Sequence, residues 1–272
     1  MSVRRTALVG GLAALVLSLT ACGDDTAVTN TPDDLVIGVS GTDPGLAMVN
    51  LDGSFSGFDV DLAAYLAKGL GWNDRDVTFE MVPPEGREAA LANGDIDMIV
   101  SAYPMTAERD KAVDFAGPYF IAGQDLLVAH DSRVTGPRSL DGERVCGEEG
   151  SPALARIKEA DYSPGASLQE AADISTCVER LLADQVDAVT ADDVVLAGFA
   201  ETHPDDIKVV GSPFTTDYYG VGLPPGSPDV AVVNDLLARA INDGTWQADF
   251  ETHFGRSGFT PPMPPQPGTS VF

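Results

Sequence analysis

Residues 87–120, REAALANGDIDMIVSAYPMTAERDKAVDFAGPYF, hold the pattern from which the rest of the chain is read. Arg87 to Ala92 is rich in strong helix formers and runs into Asn93-Gly94, which suits the left-handed turn that closes a helix. Ile96 to Val100 is a short, β-branched, apolar run of the length of a strand buried on both faces. It delivers Ser101-Ala102-Tyr103-Pro104 to the carboxyl end of that strand, where Thr106 is placed to cap a helical turn holding Glu108 and Arg109. A cation in a first helical turn opposes the macrodipole, so Arg109 there suggests an anion to hold. Further on, Leu181 to Asp192 (LLADQVDAVTAD) repeats the helix, turn, Asp and strand layout of Leu91 to Ser101. In open α/β sheets, ligands sit outside the carboxyl ends of strands. Two such ends, one offering Arg109 and the other Asp192, describe a cleft with a cation on one wall and an anion on the other. That pairing suits a zwitterion.

Composition narrows the partners. With 272 residues at 44% hydrophobic, the chain can bury a core as one domain or two. Its formal charge of −26 argues against nucleic acid, whose phosphates need a basic surface. Its three His residues, His130, His203 and His253, are not spaced as a metal cluster, and neither a metal nor a cofactor is expected. Residues 1–21 read as a targeting segment: Arg4-Arg5 precede an apolar run from Ala7 to Leu19 that is short for a spanning helix. Leu19-Thr20-Ala21-Cys22 resembles a bacterial lipobox, with Cys22 as the lipidated residue and residues 22–34 as a polar tether. The alternative is an ordinary secretion signal with an incidental Cys. The remaining pair, Cys146 and Cys177, favours a disulfide in an exported chain over two buried thiols.

In chain order, Leu35 to Val39 opens the first strand and Ser40 to Leu46 forms a loop at its carboxyl end. Asp52-Gly53 is a hairpin-type turn. Asp59 is expected to cap a helix over Val60 to Leu70, and Val77 to Val82 is the next strand. Gln124 to Ala129 reads as a crossover, followed by a strand at Arg144 to Cys146 and a helix after Ser151. A helix over 174–183, a strand over 186–190 and a helix capped by Asp192 or Asp193 come next. Ile207 to Val210 is a strand, Tyr218 to Leu223 crosses back, and helices near 229–242 and 246–253 complete the pattern. Strands alternating with helices give an α/β fold with mostly parallel sheets. The proline-dominated residues 256–272 are expected to be a disordered tail.

Gly57-Phe58-Asp59-Val60-Asp61-Leu62, Asn93-Gly94-Asp95-Ile96-Asp97-Met98-Ile99, Thr106-Ala107-Glu108-Arg109 and Val113-Asp114-Phe115 follow one another in a characteristic order. Together they resemble the polar amino-acid-binding proteins of ABC importers, in particular the actinobacterial glutamate-binding lipoproteins, over residues 35–255. The resemblance implies a two-lobed, periplasmic-binding-protein-like fold with a two-strand hinge. Residues 35–123 and 218–255 would form one lobe, and residues 124–217 the other, holding the Cys146–Cys177 bridge. It implies a monomeric receptor lipid-anchored to the outer face of the cytoplasmic membrane, with a free amino acid and an ABC permease as partners. Arg109 would hold the ligand α-carboxylate, Asp192 its ammonium and Arg87 its side chain. Phe58, Ala102, Tyr103, Thr106, Gly150 and Ser151 would complete the pocket.

Phe58 and Tyr103 can equally be core residues, Ser151 a simple helix cap, and Arg87 a solvated helix residue. Three positions depart from the family pattern. Pro104 lacks a backbone donor that relatives aim at the carboxylate. Ser40 stands where glutamate binders tend to carry a cation, and Glu148 stands where a glutamine binder carries Lys. The ligand is expected to be glutamate first, then glutamine, asparagine or aspartate. The competing readings are a dehydratase-like enzyme on the same fold, with Glu148 as its acid, and a ligand sensor.

Overall fold

A computed structural model of the chain describes residues 34–149, 152–159, 161–260 and 262–271. The targeting segment, Cys22, the tether up to residue 33, and Gly150-Ser151 lie outside the described residues. From the start, β1 (Leu35–Val39) leads into three short strands, β2 (Thr42–Asp43), β3 (Ala47–Val49) and β4 (Phe55–Ser56). Then come α1 (Phe58–Gly69), β5 (Val77–Met81), α2 (Arg87–Asn93) and β6 (Met98–Ile99). The long β7 (Asp114–Ala122) and β8 (Gln124–Ala129) are separated only by Gly123. The middle of the chain holds β9 (Arg144–Glu148), α3 (Pro152–Arg156), β10 (Ser167–Ala171), α4 (Ile174–Leu182), β11 (Ala188–Asp192), α5 (Asp193–Thr202) and β12 (Ile207–Val209). It ends with β13 (Asp217–Leu223), α6 (Val230–Asn242) and α7 (Thr245–Phe254).

The strands make two five-stranded sheets, ordered β5-β1-β6-β13-β7 and β10-β9-β11-β8-β12, and the small antiparallel sheet β2-β3-β4. In each large sheet four strands run one way and one runs against them: β13 in the first, β8 in the second. Those two are the strands that have just arrived from the other sheet. Strands β5, β6, β10 and β11, which follow an α-helix within their sheet, pair parallel with β1 or β9, as crossover connections require. The fold is therefore α/β with two lobes.

The repeat seen in sequence is a repeat in space. Asp97 N donates to Val36 O, and Asp97 Oδ2 accepts from Val36 N, each at 2.8 Å. Asp187 does the same with Arg144, both bonds again 2.8 Å. Each Asp thus locks its turn to the first residues of the neighbouring parallel strand. The left-handed position before it is Gly94 in one copy (φ 74°) and Asp184 in the other (φ 55°). Asp is one of the few residues besides glycine that tolerates that region.

The core of the first lobe is aromatic. Phe58, Phe120, Trp246 and Phe250 pack with ring centroids 5.5–6.4 Å apart, and the Trp246 indole N–H donates to Tyr119 O at 2.8 Å. Each such side chain, removed from water, contributes about 1.5–3 kcal/mol. The second lobe packs Leu127, Val178, Leu181 and Val189 around the Cys146–Cys177 disulfide, whose Cα atoms are 5.5 Å apart. Helix α5 belongs to both lobes. Val194 and Ala197 pack in the first core, while Leu196, Phe199 and Ala200 pack in the second.

Two expectations are corrected. Asp59 does not cap α1, because the helix begins two residues earlier, with Gly57 as its cap residue and no side-chain cap bond. That register turns Asp59 onto the buried face. Residues 256–271 are also not a detached tail where described. Arg256 binds Glu201 through Nε–Oε1 at 2.6 Å, Phe259 packs 6.1 Å from Phe250, Pro265 is buried, and Gly268 N donates to Gly117 O. Prolines lack donors for helix or sheet but dock readily as extended chain on an apolar surface.

Candidate functional site

A cavity of about 550 Å³ lies where the carboxyl ends of the two sheets face each other. From the first lobe it receives the loop after β1, the segment from Met81 to Arg87, and Ser101-Ala102 after β6. From the second it receives Glu148 at the end of β9, the start of α4, and Ala191-Asp192 at the end of β11. Tyr219, on the returning strand β13, lies between them.

Arg87 is the first residue of α2 and only 6% exposed. Its Nη2 donates to Ser101 Oγ at 2.8 Å, while its Nε is buried without a partner. A buried guanidinium with an unmade bond costs free energy unless an anion completes it. Burial lowers its pKa, and the nearby Asp43 carboxylate opposes that shift. Across the cavity, Asp192 Oδ2 accepts a short hydrogen bond from the Tyr219 hydroxyl. Burial raises the Asp192 pKa to about 6 against the opposing effect of that bond. Although Asp192 stands at the N-cap position of α5, its side chain makes no cap bond, so the carboxylate remains turned to the cavity side.

Ala102 holds the left-handed conformation, φ 43°, which is strained for a residue with a side chain. Its N–H donates to Asp59 Oδ2 at 2.7 Å and to the Tyr119 hydroxyl oxygen at 3.1 Å, and Tyr119 donates to Asp59 Oδ1 at 2.9 Å. This buried triad fixes the cavity floor. Burial pushes the Asp59 pKa up to about 7.

Of the expected residues that are described, Arg87, Ala102 and Asp192 line this cavity, whereas Phe58, Tyr103, Thr106 and Arg109 do not. Arg109 lies behind Tyr103, its guanidinium 4.8 Å from that ring, with Nη1 donating to Pro104 O at 3.0 Å and Nε 3.3 Å from Glu88 Oε1. Tyr103 is fully buried, its hydroxyl donates to Glu88, and Arg87 meets the same ring at 5.5 Å. Phe58 is in the aromatic core. Thr106 is exposed, and its Oγ1 accepts from Arg109 N at 3.2 Å. Asp43, Asp59, Ser101 and Tyr219 are site residues that sequence reasoning missed. Asp59 and Ser101 stood in quoted motifs, but pattern alone read one as a cap and the other as a strand end.

Two lobes on opposite-running linkers, with a cavity of charged and apolar residues between the strand ends, define a receptor for a small solute. Residues 35–256 match the bacterial extracellular solute-binding proteins, family 3, and the chain belongs to that family; it is an extracytoplasmic protein. It is 36% identical to the glutamate-binding protein GluB of Corynebacterium glutamicum, over 91% of this chain and 90% of that one. It is 32% identical to the ABC transporter glutamine-binding protein GlnH of Bacillus subtilis, over 85% and 90% of the two chains. Among solved structures, an ancestral cationic amino acid solute binding protein superposes with a TM-score of 0.72 at 28% identity, covering 82% of this chain and 96% of that one.

Proposed function

We propose that the chain is the receptor of an ABC amino-acid importer, closing on one free polar α-amino acid and presenting it to the permease. The observation that carries this is the buried, incompletely bonded Arg87 on one lobe opposite the Asp192 carboxylate on the other. A guanidinium and a carboxylate on opposing walls complement an α-carboxylate and an α-ammonium. Arg87 takes the carboxylate in this reading, in place of Arg109, with Ser101 orienting it. The glutamate- and glutamine-binding relatives support glutamate, glutamine, asparagine and aspartate as the group containing the ligand. The same relatives are binding proteins, which supports a receptor over an enzyme. Anchoring through a lipid on Cys22 and action as a monomer complete the proposal. A thermal-shift screen of the twenty amino acids on the full chain tests it, since stabilisation follows ligand concentration over its dissociation constant. At least one polar amino acid should raise the midpoint, and Arg87→Ala should abolish that response. No response to any amino acid refutes the reading.

A further inference from the structure

The charges lining the cavity are unequal once the backbone of an amino acid is accommodated. Among the described lining residues the carboxylates are Asp43, Glu85, Glu148, Asp173 and Asp192, and the sole Arg, Lys or His is Arg87. If Arg87 takes the ligand carboxylate and Asp192 the ammonium, the space left for the side chain is walled by four acids and no cation. Two of those acids couple directly. Partial desolvation raises the Glu148 pKa, and the Asp43 charge, then Asp173 and Glu85, act in the same direction, with Arg87 opposing them. Asp43 is itself held up by burial, relieved by its Ser40 bond and by Arg87. The hydroxyls there do not replace a cation: Ser40 Oγ and Thr42 Oγ1 lie 3.2 Å apart and bond each other. Arg156, on the second lobe, is committed to Gln124 Oε1 at 2.5 Å.

We propose that the side-chain end of this cavity selects a group that donates hydrogen bonds, an amide or a cation, over a carboxylate. This rests on the zwitterion reading above and reorders its ligand group, placing glutamine ahead of glutamate. A carboxylate entering this space meets like charge from Asp43, Glu85, Glu148 and Asp173. It binds only by taking up a proton, on itself or on one of those acids. An amide or a guanidinium instead supplies the donors these acids lack.

Isothermal titration calorimetry of the full chain with L-glutamine, L-arginine and L-glutamate, at pH 7.5 and pH 5.5, tests this. Glutamine or arginine should bind at least tenfold tighter than glutamate at pH 7.5. The glutamine-to-glutamate affinity ratio should narrow at pH 5.5, and the ratio cancels any effect of Asp192 protonation common to both ligands. Glu148→Gln should narrow the ratio at pH 7.5 by at least threefold through tighter glutamate binding, a gain that a misfolded variant cannot produce. Glutamate binding as tightly as both other ligands at pH 7.5, with Glu148→Gln leaving the ratio unchanged, overturns the inference and leaves the receptor reading standing. Absence of binding by any α-amino acid overturns the receptor reading and this inference with it.

Discussion

Arg87 and Arg109 sit against the same Tyr103 ring at 5.5 and 4.8 Å, yet their surroundings differ, and the proposed site gives them different roles. Arg109 has Pro104 O and Glu88 as partners, so Arg109→Ala should cost about 1 kcal/mol of stability or less, as partly exposed ion pairs do. Its effect on affinity should stay within roughly threefold, since less than about 0.7 kcal/mol separates the two states. Arg87→Met removes a hydrogen bond from a charged donor worth roughly 1.5–3 kcal/mol, so affinity should fall on the order of 10- to 100-fold. The unliganded Arg87→Met chain should be no less stable, because the substitution also removes a buried donor that lacks a partner. Calorimetry and chemical denaturation of both variants check this pair of outcomes; equal losses of affinity would refute the division of roles.

Asp59 provides a test through pH. Its pKa is raised from 3.8 to about 7, chiefly by burial. The folded chain therefore keeps a proton there that the unfolded chain releases. The stability due to that proton is full below about pH 4 and is lost as pH rises through 7, with an upper size on the order of 2–4 kcal/mol. Asp193, raised to about 7 mainly by burial, adds a slope of the same sign. Denaturation between pH 5 and 8 should show stability falling with pH, and Asp59→Asn, which keeps an acceptor for Ala102 N–H, should flatten the slope. An unchanged slope in that variant removes Asp59 from the account.

At the scale of elements, the two copies of helix, turn and strand show how a local motif is completed by its neighbours. Asp97 and Asp187 each exchange two backbone-directed bonds with the start of the adjacent strand, and Arg144 adds a guanidinium fork to Asp187 at 2.6 and 2.9 Å. In the second copy the motif is also tied covalently, since Cys177 on α4 bridges to Cys146 on β9. At a sequence separation of 31, the bridge should contribute about 3–4 kcal/mol in the chain-entropy description. A chain carrying Cys22→Ser, denatured without reductant, should titrate no free thiol. Adding Cys146→Ala and Cys177→Ala should lower the denaturation midpoint by a corresponding amount. Two titratable thiols in the first chain would refute the bridge.

For the whole molecule, the two connections between lobes are short and bonded to each other. Gln124 N donates to Thr215 Oγ1 at 2.7 Å, and Phe214 N to Gln124 O at 2.9 Å. A Cβ on Gly123 would come within 2.4 Å of Thr215 O, so the two linkers run side by side at backbone distance. Behind them α5, shared by both cores, offers a common surface on which one lobe can turn against the other. A ligand touching Arg87 on one lobe and Asp192 on the other favours the state in which both contacts exist. Small-angle scattering should therefore show a smaller radius of gyration with a stabilising amino acid than without. An unchanged radius alongside a clear thermal shift counts against closure.

The fold was largely legible because its signals are local. Helix α2 ends at Asn93 with Gly94 left-handed, β8 spans Gln124–Ala129, and α4 begins after Asp173, whose carboxylate accepts from Thr176 N. Strands β7 and β10 went unread. The first is interrupted by Gly117-Pro118, and the second, Ser167–Ala171, carries too few apolar residues to signal burial. Asp192 and Arg87 could be nominated from motif position, and both line the cavity. What sequence could not decide is which of two arginines faces it, because that depends on where one ring goes. Both Arg87 and Arg109 meet the Tyr103 ring, and the chain alone does not say where a long side chain beside an aromatic ring ends. The start of α1 is similar: two residues turned Asp59 from a helix cap into the buried acid beneath the site. The sequence by itself determined most of the elements, their order and the disulfide partners, through propensity, caps and patterning. The tertiary structure decided the site, because burial, hydrogen-bond completion and the balance of facing charges exist only once distant segments meet.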